Sequence, residues 1–157
     1  GSIGMKVGKI AKAFGMNINY FSVRTYKKTQ FLKFLSSLDY LSIHCPLNEK
    51  TKDLITIKEL KIMKKNMILI NTARGGIVNE NDLTKALKQK IIAGAGIDVT
   101  TSEPPKESHA YYSILNEANF IWTPHTAWAS NETLQEAINQ LIKNINSFYK
   151  GRKRNIV

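Results

Sequence analysis

Short apolar runs alternate along this chain with segments in which apolar positions recur every three or four residues. The spaced pattern predicts amphipathic helices, and the continuous runs predict buried strands. The predicted helices cover residues 7–14, 31–35, 57–63, 80–88 and 131–150, and the predicted strands cover residues 18–23, 40–45, 67–72, 91–99 and 120–123. Strands that alternate with helices in this way are typical of an α/β domain with a parallel sheet.

Side chains that cap helices support two of these predictions. Asn79 or Asn81 stands at the start of residues 80–88, and Ser130 and Gly151 bracket the last helix. Asn and Ser accept hydrogen bonds from the free amides of a first helical turn, and glycine adopts the left-handed backbone common at a helix end. Both helices therefore have local boundary signals in addition to their apolar stripes.

The composition is that of one globular domain. With 157 residues, of which 43% are hydrophobic, the chain is long enough to bury a single core. We expect a doubly wound parallel sheet over residues 1–130, followed by a C-terminal helix and tail over residues 131–157. No apolar stretch approaches the roughly 20 residues of a membrane span. No leader precedes the first helix, and Cys45 has no partner for an internal disulfide, so we expect a cytoplasmic protein.

Charge is the one unusual bulk property. The chain carries 23 Lys and Arg residues against 12 Asp and Glu residues, a net charge of +11. Such an excess raises the affinity for nucleic acids, anionic surfaces and anionic small molecules. The cations are spread over the whole sequence, however, without interleaved aromatic residues or zinc-finger spacing. We therefore interpret them as solvated helix faces and predict no nucleic-acid or membrane partner.

The segment 71–76, with the sequence Asn-Thr-Ala-Arg-Gly-Gly, lies at the carboxyl end of a predicted buried strand. Ligands of α/β sheets bind beyond the carboxyl ends of the strands, and two glycines free the turn that carries Arg74. A guanidinium holds a carboxylate through two parallel hydrogen bonds. Arg74 is therefore a candidate anion-binding residue, with an ordinary surface arginine as the alternative.

Two further candidates follow later strands. Glu103 comes after the predicted strand 91–99, and His125 comes just after the predicted strand 120–123. A histidine is suited to general acid–base catalysis when a carboxylate holds its second ring nitrogen, because the carboxylate orients the ring and raises its pKa. Taken singly, His125 would be interpreted as a structural histidine. Together with Arg74 and Glu103, it indicates a catalytic set.

The first four residues, Gly1-Ser2-Ile3-Gly4, lead into the first predicted helix as the second half of a G-x-G-x-x-G motif would. In that motif the glycines let the backbone approach a pyrophosphate, which the helix N-terminus binds through its amides. The first glycine and the strand before it are not in the sequence. A cloning remnant would also explain Gly1-Ser2, so this motif alone leaves the choice open.

Taken in order, these motifs resemble the nucleotide-binding portion of the D-isomer-specific 2-hydroxyacid dehydrogenases. The resemblance covers the whole chain and rests on residues 1–4, 42–47, 70–78, 93–99, 103–105 and 123–130. The 29-residue step from Arg74 to Glu103 matches the register of that family. Residues 102–105 and 125–130 are most similar to the branch of glycerate dehydrogenases and hydroxypyruvate reductases.

The resemblance implies a Rossmann-type fold and hydride transfer between a nicotinamide cofactor and C2 of a small D-2-hydroxy acid or 2-keto acid. Arg74 would bind the substrate carboxylate and C2 oxygen, Glu103 would orient the histidine, and His125 would exchange the proton of the C2 hydroxyl. The implied NAD-binding residues are Gly1, Ser2, Ile3, Gly4, Ser22, Arg24, Cys45, Pro46, Thr72, Ala73, Arg74, Asp98, His125 and Ala127.

One departure from the family pattern concerns the cofactor. The acid that selects NAD at the end of the second strand is replaced here by Ser22, with Arg24 two residues later. An acid accepts hydrogen bonds from the ribose hydroxyls, whereas Ser together with Arg accommodates a 2′-phosphate. The sequence therefore leaves NADP as an alternative to NAD.

The other departure concerns length. The family's first strand and its N-terminal substrate domain correspond to no part of this sequence, so we expect a chain truncated inside its phosphate loop. Half of the cleft would be missing, and we expect no useful turnover from this chain alone. Two alternatives stay open: a nucleotide-sensing interaction module like the family's transcriptional corepressors, and an inactive truncated remnant.

The remaining expectations concern ligands and partners. The three histidines lack metal-ligand spacing, so we predict no metal, and we interpret Cys45 as a buried cysteine rather than a nucleophile. The resemblance suggests a small-molecule substrate and a homodimer. Residues 100–119 are a candidate dimer contact because they contain Tyr111 and Tyr112.

Overall fold

The computed structural model of the chain describes residues 1–25 and 27–156. Its helices are α1 (Ser2–Ala13), α2 (Lys28–Ser37), α3 (Ile57–Leu60), α4 (Glu80–Lys88) and α5 (Asn131–Tyr149). Its strands are β1 (Tyr40–Ile43), β2 (Ile68–Asn71), β3 (Gly94–Ile97) and β4 (Phe120–Trp122), and short 3-10 helices cover Val23–Thr25 and Ala110–Ile114. Val157, the end of the predicted C-terminal tail, lies outside the described residues.

The four strands form one parallel sheet in the order β1-β2-β3-β4, with a helical segment between each pair. This confirms the predicted α/β class and parallel sheet. The last residues of the strands are in register: Ile43 with Asn71, Asn71 with Ile97, and Ile97 with Trp122. The loops that follow the four strands therefore leave the same edge of the sheet, where α/β folds bind their ligands.

One apolar core joins the strands to α2, α3, α4 and the 3-10 helix Ala110–Ile114. Its fully buried side chains include Leu35, Leu60, Met67, Leu69, Leu83, Ile92 and Tyr111. Tyr111 is only 1% exposed, and burial raises the pKa of its phenol. Its side chain is therefore not available to the dimer contact predicted for residues 100–119.

The helix boundaries with capping signals are confirmed. Helix α4 has the predicted bounds, and the Asn79 side chain accepts a hydrogen bond from the Asp82 amide at 3.1 Å. At the start of α5, Ser130 Oγ accepts from the Thr133 amide at 3.2 Å. Gly151 closes α5 with a φ of 63°, in the left-handed region that glycine adopts without strain.

Residues 18–23 do not form the predicted strand. The segment up to Ser22 has no regular secondary structure, and Val23 already belongs to a 3-10 helix. A strand is held by hydrogen bonds to a neighbour, and among the described residues β1 is the edge of the sheet on its side. Within this apolar run, the partly buried Phe21 packs on Phe31 and Phe34, with ring centroids 5.1 and 5.2 Å apart. The four observed strands are also shorter than predicted.

The chain divides into two compact units, one over Gly1–Pro124 and one that begins at His125. The second unit starts before the predicted boundary at residue 130 and consists mainly of α5. Arg154 returns to this helix and donates hydrogen bonds to Gln140 Oε1 at 2.6 Å and Asn144 Oδ1 at 3.1 Å. Helix α5 buries none of its residues.

Helix α1, in the first unit, is also largely exposed. It buries only Gly8, where an added Cβ would meet the ring of Tyr20. The apolar side chains Ile10 and Phe14 are 59% and 83% exposed. Along residues 1–25 and 27–156, no helix combines the length and apolar character that a membrane crossing requires.

Candidate active site

The turn that carries Arg74 is fixed by the side chain of Asn71, the last residue of β2. Asn71 is 2% exposed, and both ends of its amide are used. Its Oδ1 accepts from the Ala73 amide at 3.1 Å, and its Nδ2 donates to the Arg74 carbonyl at 3.0 Å. Arg74 itself is exposed, and its Nη1 donates to the Ala73 carbonyl at 2.6 Å. The turn therefore presents a guanidinium at the carboxyl edge of the sheet.

The glycine after Arg74 brings this turn against the next loop. A Cβ added at Gly75 would overlap the backbone of Thr100 and the amide of Thr101. Only glycine allows two backbones to approach this closely. Thr100 lies just beyond β3, so the loops after β2 and β3 are packed together at this point.

Glu103 belongs to the second of these loops. Its Oε1 accepts a hydrogen bond from the Thr100 amide at 2.9 Å, and Thr100 Oγ1 donates to the Ser102 carbonyl at 2.8 Å. The carboxylate of Glu103 is thus tied to the residue that contacts Gly75. The structure therefore brings Arg74 and Glu103, two residues of the predicted catalytic set, onto adjoining loops of one unit.

Asp98 is the buried acid of the same edge. It follows β3, is 4% exposed, and donates its amide hydrogen to the Asn71 carbonyl at 3.0 Å. Thr123 Oγ1 donates a hydrogen bond to Asp98 Oδ1. Asp98 therefore lies between the loop with Thr72 and Ala73 and the end of β4.

The N-terminus of α1 forms the second part of the predicted cofactor site. Gly1 is the N-cap of α1 and makes no side-chain cap hydrogen bond, and Ser2 and Ile3 of the first turn are exposed residues. A Cβ added at Gly4 would lie 3.4 Å from the ring of His44. An anion of pyrophosphate type fits this uncapped helix end.

The loop after β1 adjoins that helix end through His44. Ser42 Oγ and His44 Nε2 are 2.8 Å apart, and burial lowers the pKa of the imidazole. The next residue, Cys45, is partly buried, and burial raises the pKa of its thiol. A thiol with a raised pKa stays protonated and is a poor nucleophile. The structure thus places Cys45 and the exposed Pro46 next to the residue that contacts Gly4.

Ser22 and Arg24 lie at the 3-10 helix Val23–Thr25. The Arg24 amide donates to Ser22 Oγ at 3.3 Å, and both residues are exposed. Residues 17–25 contain no acid, so no carboxylate of this segment faces an anion bound there.

His125 and Ala127 belong to the second unit. His125 has a φ of 54°, a left-handed conformation that histidine adopts more often than most residues with a side chain. Ala127 lies in the turn closed by the hydrogen bond from the Ala129 amide to the Thr126 carbonyl at 3.0 Å. The third residue of the predicted catalytic set is thus held by a different unit from Arg74 and Glu103.

Asn71 and Thr100 are positioning residues that the sequence analysis did not single out. Asn71 had a usable signal, since an Asn that precedes a turn often bonds to the backbone two residues on. Thr100 had none, because its contact with Gly75 depends on how two strands pair. Across the two described ranges, no three His, Cys, Asp or Glu side chains gather as metal ligands would.

Known proteins are similar to this chain in both sequence and fold. Residues 1–127 match the family described as D-isomer specific 2-hydroxyacid dehydrogenase, NAD binding domain. The chain is 42% identical to a glycerate dehydrogenase of Methylorubrum extorquens over 161 aligned residues, which cover 100% of this chain and 50% of that protein.

Two solved structures add the fold. An NAD complexed D-isomer specific 2-hydroxyacid dehydrogenase of Lactobacillus delbrueckii ssp. bulgaricus superposes with a TM-score of 0.84 at 30% identity, covering 99% of this chain and 52% of that one. The acyclic imino acid reductase Bsp5, in complex with NADPH and D-Arg, superposes with a TM-score of 0.80 at 33% identity, covering 100% and 51%.

The chain spans about half the length of the curated relatives it matches. The family predicted from the motifs is confirmed, because its model covers residues 1–127 of the 157. The chain therefore belongs to the D-isomer specific 2-hydroxyacid dehydrogenase family, and the match falls on the NAD binding domain of that family.

Proposed function

We propose that this chain is the nucleotide-binding half of an enzyme that transfers a hydride between a nicotinamide cofactor and C2 of a small D-2-hydroxy acid or 2-keto acid. The observation that carries the proposal is the contact of Gly75 with Thr100, which places the Arg74 turn beside the loop of Glu103. A fixed cation and a carboxylate on adjoining loops are what recognition of a keto acid and orientation of a proton donor require.

The roles proposed for the three residues are those that the family resemblance implies, and their chemistry is compatible with them. The Arg74 guanidinium binds the substrate carboxylate through two parallel hydrogen bonds. His125, as imidazolium, donates a proton to the C2 oxygen when a keto acid is reduced, and it takes that proton back in the opposite direction. The role proposed for Glu103 is to orient the histidine ring for this proton transfer. The nicotinamide cofactor, when bound, supplies or accepts the hydride.

The cofactor-binding residues divide into three groups in this proposal. The uncapped amides of residues 1–4 bind the pyrophosphate, and Cys45 and Pro46 line the adenosine side. Thr72, Ala73 and Asp98 lie on the nicotinamide side. Two observations support these assignments. Gly4 lies close to the ring of His44, and the Asp98 amide donates a hydrogen bond to the carbonyl of Asn71, the residue that fixes the Arg74 turn.

Both cofactors fit the residues around the adenosine ribose. Ser22 and Arg24 are exposed where the family pattern has an acid, so NAD is the proposed cofactor and NADP is the alternative, whose 2′-phosphate these two residues would accommodate. Replacing Arg24 by Ala weakens NADPH binding by about tenfold and leaves NADH binding unchanged, because one phosphate contact is lost. Titration of both cofactors measures this, with Lys33→Ala as the control for loss of an exposed cation. An equal loss for both cofactors, or for both variants, contradicts the assignment.

The substrate class is a small 2-keto acid such as hydroxypyruvate, the oxidised partner of glycerate. The likeness to a glycerate dehydrogenase supports this choice. The test is the oxidation of NADH or NADPH by the full-length protein that contains this chain, with and without hydroxypyruvate. Oxidation that depends on the keto acid supports the proposal. Tight cofactor binding without oxidation favours the nucleotide-sensing module, and neither binding nor oxidation favours the inactive remnant.

The homodimer and the cytoplasmic location stay predictions. Sedimentation of the full-length protein tests the first, since a dimer has twice the chain mass. Fractionation of cells that express it tests the second.

A further inference from the structure

A second polar cluster lies outside the residues assigned so far. Glu80, the first residue of α4, and His109, which precedes the 3-10 helix Ala110–Ile114, have side chains that are 11% and 9% exposed. His109 Nε2 lies 2.8 Å from Glu80 Oε2. The two residues are 29 positions apart in the sequence, and neither belongs to the predicted catalytic or cofactor set.

The carboxylate of Glu80 also holds Thr101. The Thr101 amide donates to Oε1 at 2.7 Å, and Thr101 Oγ1 donates to Oε2 at 2.8 Å. Together with His109, this gives the carboxylate three hydrogen-bond donors. Hydrogen bonds to an ionised acceptor are shorter and stronger than those between neutral groups.

The contacts of His109 fix its tautomer. An ionised carboxylate only accepts, so His109 Nε2 carries a hydrogen and donates to Glu80. His109 Nδ1 accepts from the Tyr111 amide at 3.3 Å, so this nitrogen carries none. The ring therefore serves as a neutral donor to Glu80 while it caps the 3-10 helix.

Aromatic contacts hold the ring in place. His109 stacks on Trp122, the last residue of β4, with centroids 5.5 Å apart and planes inclined by 25°. Tyr111 also packs on His109, with the two rings in an edge-to-face arrangement and centroids 4.9 Å apart. Trp122 belongs to the sheet. Its stacking on His109 therefore fixes the His109 ring, and the Glu80 carboxylate bonded to that ring, relative to the sheet.

Thr101 connects this cluster to the candidate active site. Its neighbour Thr100 donates its amide hydrogen to Glu103 and packs on Gly75, and a Cβ at Gly76 would lie 3.3 Å from Thr101 Cγ2. The loop is therefore held on one side by Glu80 and on the other by the Arg74 turn. We propose that Glu80 and His109 are positioning residues, which hold Thr101 and thereby place the carboxylate of Glu103 relative to Arg74.

This inference rests on the proposed function for its effect on the reaction, but not for its effect on the loop. Glu80→Gln keeps the size of the side chain and replaces one accepting oxygen by a donating NH2, which faces a donor of Thr101 or His109. The loop then loosens while the cofactor site at α1 is unchanged. In the full-length protein we expect kcat for keto-acid reduction to fall about tenfold or more, with the Kd for the cofactor changed less than about twofold.

The matched control is Glu59→Gln. The Glu59 carboxylate accepts from the amide and the hydroxyl of Thr56, as Glu80 does from Thr101, but these bonds form the capping box of α3 and not the loop of Glu103. We expect this control variant to lose a comparable hydrogen bond and some stability but to keep the kcat of the unchanged protein. A fall of kcat in both variants alike would overturn the positioning role.

Rescue at His109 separates the hydrogen bond from the packing. In His109→Gln the amide nitrogen takes the place of Nε2 and still donates to Glu80, whereas His109→Leu fills space without a donor. We expect the Gln variant to keep a kcat at least about threefold above that of the Leu variant. Equal kcat values in the two variants would contradict a role for the donor.

Hydrogen exchange gives a readout that does not need activity. Glu80→Gln should raise the exchange of the amides of residues 100–103 about tenfold, with no change in β2, because only the loop is released. Exchange that stays unchanged in this loop overturns the inference, even if the protein proves to be a dehydrogenase. Faster exchange in a protein without keto-acid reduction upholds the positioning and instead overturns the proposed function.

Discussion

The carboxyl edge of β2 and β3 and the N-terminal residues 1–25 belong to the same unit but are built in different ways. At the edge, the side-chain amide of Asn71 fixes the turn of Arg74, and the absent Cβ of Gly75 lets this turn pack against the next loop. In residues 1–25, α1 buries only Gly8, and the segment up to Ser22 pairs with no described strand. The Arg74 turn and the loop of Glu103 are thus fixed by close backbone contacts within the unit, whereas α1 buries little surface there.

Gly75 and Gly8 illustrate this difference, because an added Cβ would overlap other atoms at both positions. A Cβ at Gly75 would overlap backbone atoms of Thr100 and Thr101, which cannot move without shifting the loop of Glu103. A Cβ at Gly8 would overlap the ring of Tyr20, a side chain that is 58% exposed and free to rotate away. An added methyl group should therefore be poorly tolerated at Gly75 and well tolerated at Gly8.

The largest expected effect is on the reaction, from the loss of the cation at the edge. Arg74→Ala in the full-length protein should lower kcat/KM for the keto acid about 10³-fold, because the proposed bidentate contact with the substrate carboxylate is lost. The Kd for NADH should change less than about threefold. Steady-state kinetics and a cofactor titration measure the two, with Arg152→Ala as the control for an exposed arginine. Equal losses in both parameters would mean that Arg74 acts mainly through its expected cofactor contact and not through the substrate carboxylate.

The next effect is on stability and tests the two glycines directly. Gly75→Ala should lower the free energy of unfolding by about 2–3 kcal/mol, since the added methyl group meets backbone. Gly8→Ala should lie within about 1 kcal/mol of the unchanged protein, because the gain in helix propensity offsets the displacement of Tyr20. Gly96→Ala is the control, with nothing within 4 Å of the added carbon. Urea unfolding of the three variants provides the ranking, and a Gly8 effect as large as that of Gly75 would break the comparison.

The smallest effect concerns pH and the histidine between the two regions. Burial lowers the pKa of His44, so the folded state keeps this ring neutral and binds its proton less readily than the unfolded chain does. The free energy of unfolding should therefore fall as the pH drops below about 6.5, by less than about 1 kcal/mol, because partial exposure screens the effect. Urea unfolding of the unchanged protein and of His44→Gln at pH 7.5 and 5.5 isolates this term. A pH dependence that is identical in both proteins would contradict it.

Features encoded by neighbouring residues could be predicted from the sequence. Helix α4 has the predicted bounds because Asn79 and the apolar stripe lie within or next to it, and the turn of Arg74 was indicated by the two glycines that follow. The strand over residues 18–23 was wrong because an apolar run carries no information about whether a neighbouring strand is available. The same holds for the cluster beside the candidate site, where Glu80 meets His109 across 29 residues and no spacing rule connects them.

Cofactor binding is the claim on which the whole account depends, and calorimetric titration of NADH and NADPH into the full-length protein tests it most directly. The account predicts saturable binding of one cofactor per chain, which is weakened when Gly4 is replaced by Asp because a negative charge in the first turn of α1 opposes an anion bound at that helix end. Saturable binding that Gly4→Asp leaves unchanged would place the cofactor elsewhere. No binding of either cofactor to a folded protein would contradict the account.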